Sequence, residues 1–470
     1  MSENTGIDPY DGADPDLDED TLDREDDVDT DAMRESSQAG DVVDASEETE
    51  IAAGDTATSD DQGGAAPRRR LTRLSAGPPS SLRDMLEGHV PSFLVHRSHF
   101  NAEMLPELLT VARRQVAGRA GVGAVIRLSK MRPVKARAYL DLCASATMKV
   151  ADPEIYALDG SGAPDTYSPA TTAHHAWASS VPAAPDPAWI RQVLDAQADA
   201  GANVFLSATG WVSDTNGRTA LAEAMDWVRA TRAQLADEDM FVNLTLPSTW
   251  LTTKNLRDAL KEELVESNEP LWWLRFYWPI VDPRYGQLHT PAILAGYRDL
   301  ASTAAIEDKV LILPNSGLTG WAATAWGAQG FSTGMSWSEQ MYGAQRRGGA
   351  VKGRPKPPRV ERFFDRTILH SIPHAEHLAL RGQPNHLTCG CRFCRRLAAT
   401  IANGTYHQPT ADLHYLLECA QLTALLGGRR PGHTALREVR DAQTFIKALP
   451  TALTGNLRPQ HLDQWETLLP

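Results

Sequence analysis

The sequence lacks any apolar run near the ~20 residues that a helix needs to cross a bilayer. Its N-terminus has neither the basic nor the apolar region of a secretory signal. A membrane partner and export are therefore not expected. Cysteine is scarce, with 5 in 470 residues, and three of these fall between positions 389 and 394. That distribution cannot build a disulfide framework, and it points to a reducing, cytoplasmic compartment. Residues 1–66 are almost without aromatic residues, Tyr10 being the exception, and almost without basic ones. They hold 23 Asp and Glu against 2 Arg. Such a segment cannot bury enough apolar area to offset its ordering entropy, so a disordered acidic tail is expected there. The tail could compete with nucleic acid for a basic surface, though such tails are more often simple solvated extensions.

The acid of the tail hides the character of the rest. The whole chain carries a net charge of -14, yet residues 67–470 hold 37 acidic against 44 basic side chains, a balance of +7. A positive body favours an anionic partner through counterion release, although ordinary surface charge reaches the same value. Arg68, Arg69, Arg70 and Arg73 mark the start of this body, and residues 67–90 read as a basic linker.

From residue 91 to 343, short β-rich apolar runs alternate with segments of helical spacing. The runs are 93–97, 124–129, 147–151, 203–208, 240–246, 272–278, 310–315 and 330–335. Parallel strands need helical crossovers, so eight strands in this order predict an α/β fold, a (β/α)8 barrel of the TIM type. An open doubly wound sheet is the alternative, but the glycine fingerprint that would follow its first strand is missing. Residues 344–359 then carry Arg346, Arg347, Lys352, Arg354 and Lys356 with no acid, among glycines and prolines. Directly after the eighth strand, such a loop can hold phosphate on the catalytic face of a barrel, or can serve as a solvated linker. Residues 360–470 read as a mostly helical C-terminal part.

That part holds Cys389-Gly-Cys391-Arg-Phe-Cys394, three thiolates within one tight turn. Zinc takes four soft or borderline ligands tetrahedrally, and a closed Cys3His set is a structural arrangement. His386, His407, His414 and Cys419 are the candidates for the fourth ligand. His414 is the choice, because it begins a helix with Leu413, Leu416, Leu417, Ala420 and Ala424 at helical spacing, capped by Thr410 and stopped by Gly427–Gly428. Structural Zn2+ is thus the expected cofactor, held by Cys389, Cys391, Cys394 and His414.

This Cys-x-Cys-x2-Cys run followed by a helix-borne His resembles the zinc signature of the tRNA-guanine transglycosylase superfamily, which includes DNA 7-deazaguanine transglycosylase relatives. Asp412-Leu-His-Tyr-Leu-Leu is also similar to the His-bearing helix of that family. The resemblance is close over the zinc segment and architectural over residues 91–425. It implies a late zinc subdomain on a barrel, and a reaction in which a guanine of RNA or DNA is exchanged for a 7-deazaguanine. One aspartate would attack the ribose anomeric carbon and a second would assist proton transfer. The gap before His414 is 19 residues, shorter than the family pattern. The Asp-Ser-Gly-Gly signature is missing, with Leu158-Asp159-Gly-Ser-Gly a scrambled echo, and Ser332, Thr333 and Ser336 stand near the eighth strand where the nucleophile is expected.

Apart from the resemblance, alternation along the strands predicts which side chains point into the barrel. The second strand would turn Val125, Arg127 and Ser129 inward, the third Lys149, the fifth Phe241, Asn243 and Thr245, and the sixth Trp273, Arg275 and Tyr277. Charges placed there need either a ligand or a charged partner. Arg127, Lys149, Asn243, Arg275, Tyr277 and Trp278 are the substrate-binding candidates. Trp211, Trp250, Trp278 and Trp337 lie near strand ends, where flat rings stack on flipped bases or simply pack. Asp152 and Asp282 are the candidate catalytic carboxylates, though Asp-Pro also opens turns. His96, His99, His174 and His175 are available for acid–base work without distinguishing spacing. The partner expected is nucleic acid, tRNA or DNA, with a homodimer possible. A barrel that binds nucleic acid without catalysis is the rival reading.

Overall fold

A computed structural model describes residues 78–98, 101–158, 161–164, 174–179, 181–279, 286–344 and 360–470. The acidic tail, the basic loop with its five cationic candidates, Asp282 and His99 lie outside the described residues.

A short helix, α1 (Leu82–Leu86), opens the described chain, capped reciprocally by Ser81 and Asp84. The barrel then runs β1 (Ser92–His96), α2 (Leu105–Val116), β2 (Gly121–Arg127), α3 (Pro133–Leu142), β3 (Met148–Asp152) and α4 (Pro187–Asp199). It continues through β4 (Phe205–Leu206), α5 (Arg218–Arg232), β5 (Met240–Pro247), α6 (Thr249–Thr252), α7 (Lys254–Glu266) and β6 (Leu271–Tyr277). The last units are α8 (Pro291–Ile306), β7 (Val310–Leu313), α9 (Gly317–Trp326), β8 (Gly330–Thr333) and α10 (Trp337–Gln340). All eight strands are parallel, in the order β3-β2-β1-β8-β7-β6-β5-β4. The expected (β/α)8 architecture is present.

Closure between β3 and β4 is incomplete because β4 has two residues. Asn203 spans the gap: its side chain accepts from the Lys149 N–H at 2.7 Å and donates to the Thr147 carbonyl at 2.9 Å. Its own N–H donates to the Lys149 carbonyl at 3.1 Å. One amide side chain thus takes the place of ladder bonds.

The interior is filled at its N-terminal end by Leu94, Val125, Val150, Leu206, Phe241 and Trp273, with Met85 of α1 plugging the bottom. This apolar layer corrects one expectation. Met148 and Val150 point inward, so Lys149 points outward, where its ammonium donates to the Leu140 carbonyl of α3 at 2.7 Å. Side chains alternate strictly along a strand, and the two apolar neighbours decide which face is buried.

Beyond β8 come a hairpin of β9 (Arg362–Asp365) and β10 (His370–Pro373), then α11 (His374–Arg381), α12 (Arg392–Ala402), α13 (Gln408–Leu426), α14 (Pro431–Lys447) and α15 (His461–Leu468). The C-terminal part is mostly helical, as expected, and the hairpin is its one strand element among the described residues. Helix α13 packs against α2, α9 and β1, which gives it the place of the eighth outer helix. Hence 14 of its 19 residues are buried, and its apolar residues ring the helix rather than forming one stripe. Thr410 lies inside its first turn, bonded to His407 at 2.8 Å, and does not cap it. Helix α9 is buried along its whole length, since α13, α14 and β8 all pack on it. A Cβ at Gly320 would collide there with Phe331, so the helix seats on β8 only with glycine at that position.

Candidate metal centre and barrel mouth

Cys389 and Cys391 lie in the loop before α12, Cys394 lies in its first turn, and His414 lies in the second turn of α13. The loop is shaped by sulfur-accepted hydrogen bonds. Cys391 caps α12 by accepting from the Cys394 N–H at 3.3 Å, and Cys389 accepts from the Cys391 N–H at 3.4 Å. These bonds favour thiolate over thiol. The three sulfurs stand 3.7, 3.6 and 3.3 Å from His414 Nδ1. Tetrahedral zinc with ordinary Zn–S and Zn–N bonds sets such edges at about 3.6 Å. The group can therefore hold a metal ion such as zinc.

The surroundings fix the imidazole. His414 Nε2 donates to the Phe364 carbonyl of β9 at 3.0 Å, which leaves the Nδ1 lone pair facing the sulfurs. The Phe363 ring stacks on it at 4.5 Å, with the planes 13° apart. Buried Glu418, one turn further along α13, approaches Cys389 Sγ at 3.2 Å and has Arg366 at 3.6 Å as its counter-ion. The other candidates for the fourth ligand are engaged elsewhere: His386 bonds Asp365, His407 bonds Thr410, and Cys419 belongs to the apolar core.

The C-terminal ends of the strands form a second polar cluster. Arg275 of β6 donates through Nη2 to Asp152 at the end of β3, through Nε to Asn315 at 3.0 Å and through Nη1 to Thr245 at 3.3 Å. Arg127 of β2 pairs with Glu154 at 2.6 Å, and Ser129 donates to the same carboxylate at 2.9 Å. The Asp152 carboxylate also accepts from the Glu154 N–H at 2.9 Å, so it starts a turn as well as carrying a charge. Glu154 takes up the left-handed backbone region there, with φ of 49°. The inward arginines thus have acidic partners.

Burial sets the protonation of this cluster. It pushes the Asp152 carboxyl up, while the Arg275 guanidinium works against it. For Glu154 burial also pushes up, but Arg127 prevails and the carboxyl sits at about 2. Burial drives His96 down to about 3, helped by Arg275 and Arg127. His96 is therefore a neutral base at pH 7, with Nε2 at 2.6 Å from the Ser332 hydroxyl, and Ser332 accepts from the Asn315 N–H at 3.0 Å. Burial raises Glu339 of α10 to about 7, against the pull of the Ser336 N–H.

Of the substrate-binding candidates, Arg127, Asn243, Arg275 and Tyr277 lie on the inner faces of β2, β5 and β6. Trp278 does not join them: it is fully buried in the outer core, its indole donating to Tyr297 of α8 at 2.8 Å. Trp250 is buried in the same core. The side chain of Trp337 lies outside the described set. The aromatic surface of the mouth is instead a row of edge-to-face contacts, Trp211–Tyr277 at 6.0 Å, Tyr277–Tyr342 at 5.1 Å and Tyr342–Tyr156 at 5.1 Å. Tyr156 in turn lies 4.5 Å from the Arg275 guanidinium. His175 Nε2 donates to the Met131 carbonyl, 3.0 Å away, and takes no part in the cluster. Glu154, Asn315, Tyr342 and Glu339 were not singled out from the sequence. Only Glu154 had a local signal, two residues beyond the inward Asp152 on the same face.

No protein-family model, curated protein or solved structure matches this chain. The fold and the ligand geometry therefore carry the functional reading by themselves. No helix among the described residues is long and apolar enough to cross a membrane.

Proposed function

We infer that this chain is a transglycosylase-like barrel that acts on nucleic acid, exchanging a guanine for a 7-deazaguanine base in tRNA or DNA. The observation that carries this reading is the place of the Cys3His group. It is built from the segment between β8 and α13, and α13 is both the bearer of His414 and the helix that completes the outer ring. The tRNA-guanine transglycosylase superfamily likewise carries its zinc subdomain late in a (β/α)8 barrel. In this reading the ion is structural Zn2+, which holds the hairpin and α12 against the barrel without touching the reacting atoms.

Asp152 is the carboxylate we assign to attack at an anomeric carbon, positioned by Arg275 and the Glu154 N–H. Glu339, with a carboxyl near 7, is suited to pass a proton to the departing base. Trp211, Tyr277 and Tyr342 offer faces on which a flipped base can stack. The basic segment with Arg346, Arg347, Lys352, Arg354 and Lys356 would meet the phosphate backbone.

A second reading, a zinc-bearing barrel that binds nucleic acid without catalysis, is favoured by two features. Asp152 is bound up in an ion pair, and β8 presents Ser332 where the family has its nucleophile. Incubation with labelled guanine and either tRNA or duplex DNA separates the two. Label incorporation that Asp152→Asn abolishes supports exchange. Salt-dependent binding with neither incorporation nor base release supports the second reading. Absence of salt-dependent binding removes both.

A further inference from the structure

A separate set of metal-ligating atoms converges in the hairpin subdomain. Asp365 ends β9, His377 lies on α11, and His386 lies in the loop that leads to Cys389. All three are buried, with exposures of 1%, 7% and 3%. His377 Nδ1 is 2.8 Å and His386 Nε2 is 2.9 Å from the same oxygen, Asp365 Oδ2. The other oxygen, Oδ1, accepts from the Thr367 N–H at 2.9 Å, which holds the carboxylate in a one-oxygen presentation toward the histidines. The three candidate ligand atoms lie within 4.8 Å of one another.

We propose that Asp365, His377 and His386 form a second divalent-metal site, distinct from the Cys3His group. Two imidazoles and one carboxylate oxygen suit a first-row ion of borderline softness, such as Zn2+ or Co2+. Bonds of ~2.1 Å to such an ion place neighbouring ligand atoms about 3.0–3.4 Å apart, so the two imidazole–carboxylate edges, at 2.8 and 2.9 Å, need to open by only a few tenths of an ångström. Charge argues the same way. The carboxylate is sequestered from water, and its side chain is bonded to two imidazoles and a backbone N–H, none carrying a fixed positive charge. A buried anion without a cation is costly, and a bound divalent ion removes that cost. A cavity of about 190 Å³ opens beside the triad, lined by His374, Arg381, Cys394 and His414 as well, so exogenous ligands can complete the coordination shell.

The two sets are adjacent and remain separate. The Phe363 ring lies between them, 4.0 Å from the His377 ring and 4.5 Å from the His414 ring. The two ligand sets differ in chemistry, three thiolates and an imidazole against two imidazoles and a carboxylate, while sharing one wall.

Cobalt titration of the whole metal-free chain tests this without any substitution. The expected result is two Co2+ bound per chain. One develops the intense near-ultraviolet sulfur-to-cobalt band, and the other adds only weak visible absorption. Metal analysis of variants gives the independent arm. His386→Gln should lose one of the two ions while keeping the sulfur band, and Cys391→Ser should lose the band while keeping one ion. Retention of the band in His386→Gln also shows that the subdomain has folded. A single Co2+ per chain, or an unchanged metal content in His386→Gln, would overturn the proposal and leave the triad as a hydrogen-bonded structural cluster.

Discussion

Arg275 on β6 donates to Asp152 at the end of β3, across the barrel mouth, with both side chains almost wholly buried. The pair joins two strands that are not neighbours in the sheet, so it ties the mouth together where the β3–β4 gap leaves it weakest.

Breaking that pair should be costly from either side, with a different dependence on pH. Asp152→Asn leaves a guanidinium that cannot lose its charge, whereas Arg275→Met leaves a carboxyl that burial already drives toward its neutral form. Each should cost roughly 3–5 kcal/mol at neutral pH, with the Arg275→Met deficit shrinking as the pH falls. Urea denaturation at two pH values measures both. Losses below about 1 kcal/mol in both variants would mean the pair is not formed in solution.

The pH dependence of stability should show two opposed limbs. His96 sits at about 3 when folded and ordinarily at 6.5, so the unfolded chain takes its proton first. Its contribution is complete above 6.5 and is lost as pH falls toward 3. Glu339 sits at about 7 when folded and ordinarily at 4.5, so the unfolded chain ionises first. Its contribution is complete below 4.5 and is lost as pH rises toward 7. His96→Gln should flatten the acid limb and Glu339→Gln the neutral one, each by up to about 1.4 kcal/mol per pH unit. Parallel curves for wild type and both variants would contradict the assignment.

Removing the metal should loosen more than the cysteine loop. His414 sits on the helix that closes the outer ring, so chelation or Cys391→Ser should speed hydrogen exchange in β9 and α12 and reach the α2–α13 contact. A loss of several kcal/mol, of the order seen for structural zinc, is expected in thermal melts with chelator. Melting that chelator leaves unchanged would show that the group does not hold a structural ion.

Adjacent aromatic residues should behave oppositely. Trp278→Ala should cost roughly 3–5 kcal/mol of stability with no selective loss of nucleic-acid affinity, because the ring is core. Tyr277→Ala, in the aromatic row of the mouth, should be milder for stability and lower single-strand affinity by about tenfold. Fluorescence titration of both variants reads the contrast. Equal affinities would exclude the row from base stacking.

The parts of this molecule that were legible in its sequence are those set by short-range pattern. Eight apolar runs separated by helical periods carry a parallel barrel, because strand and helix periods differ at the level of neighbouring residues. Three cysteines in one turn carry a metal group, because their spacing alone brings the sulfurs together. Lys149 was misplaced for a reason of parity: its face depends on whether Met148 and Val150 or their neighbours meet the interior, and packing settles that. Helix α13 read as amphipathic because the elements that surround it come from remote parts of the chain.

Sequence by itself therefore determined the barrel, the thiolate turn and the inward set of β2, β5 and β6. Tertiary structure alone decided that Arg275 meets Asp152, 123 positions away, and Arg127 meets Glu154, so that the inward charges are paired. It alone brought His96 to Ser332 and gathered Asp365, His377 and His386 around one point. The physical reason is the same in each case. Ionic and ligand contacts form between side chains that strand register and helix docking bring within a few ångströms, and neither register nor docking is written in local spacing.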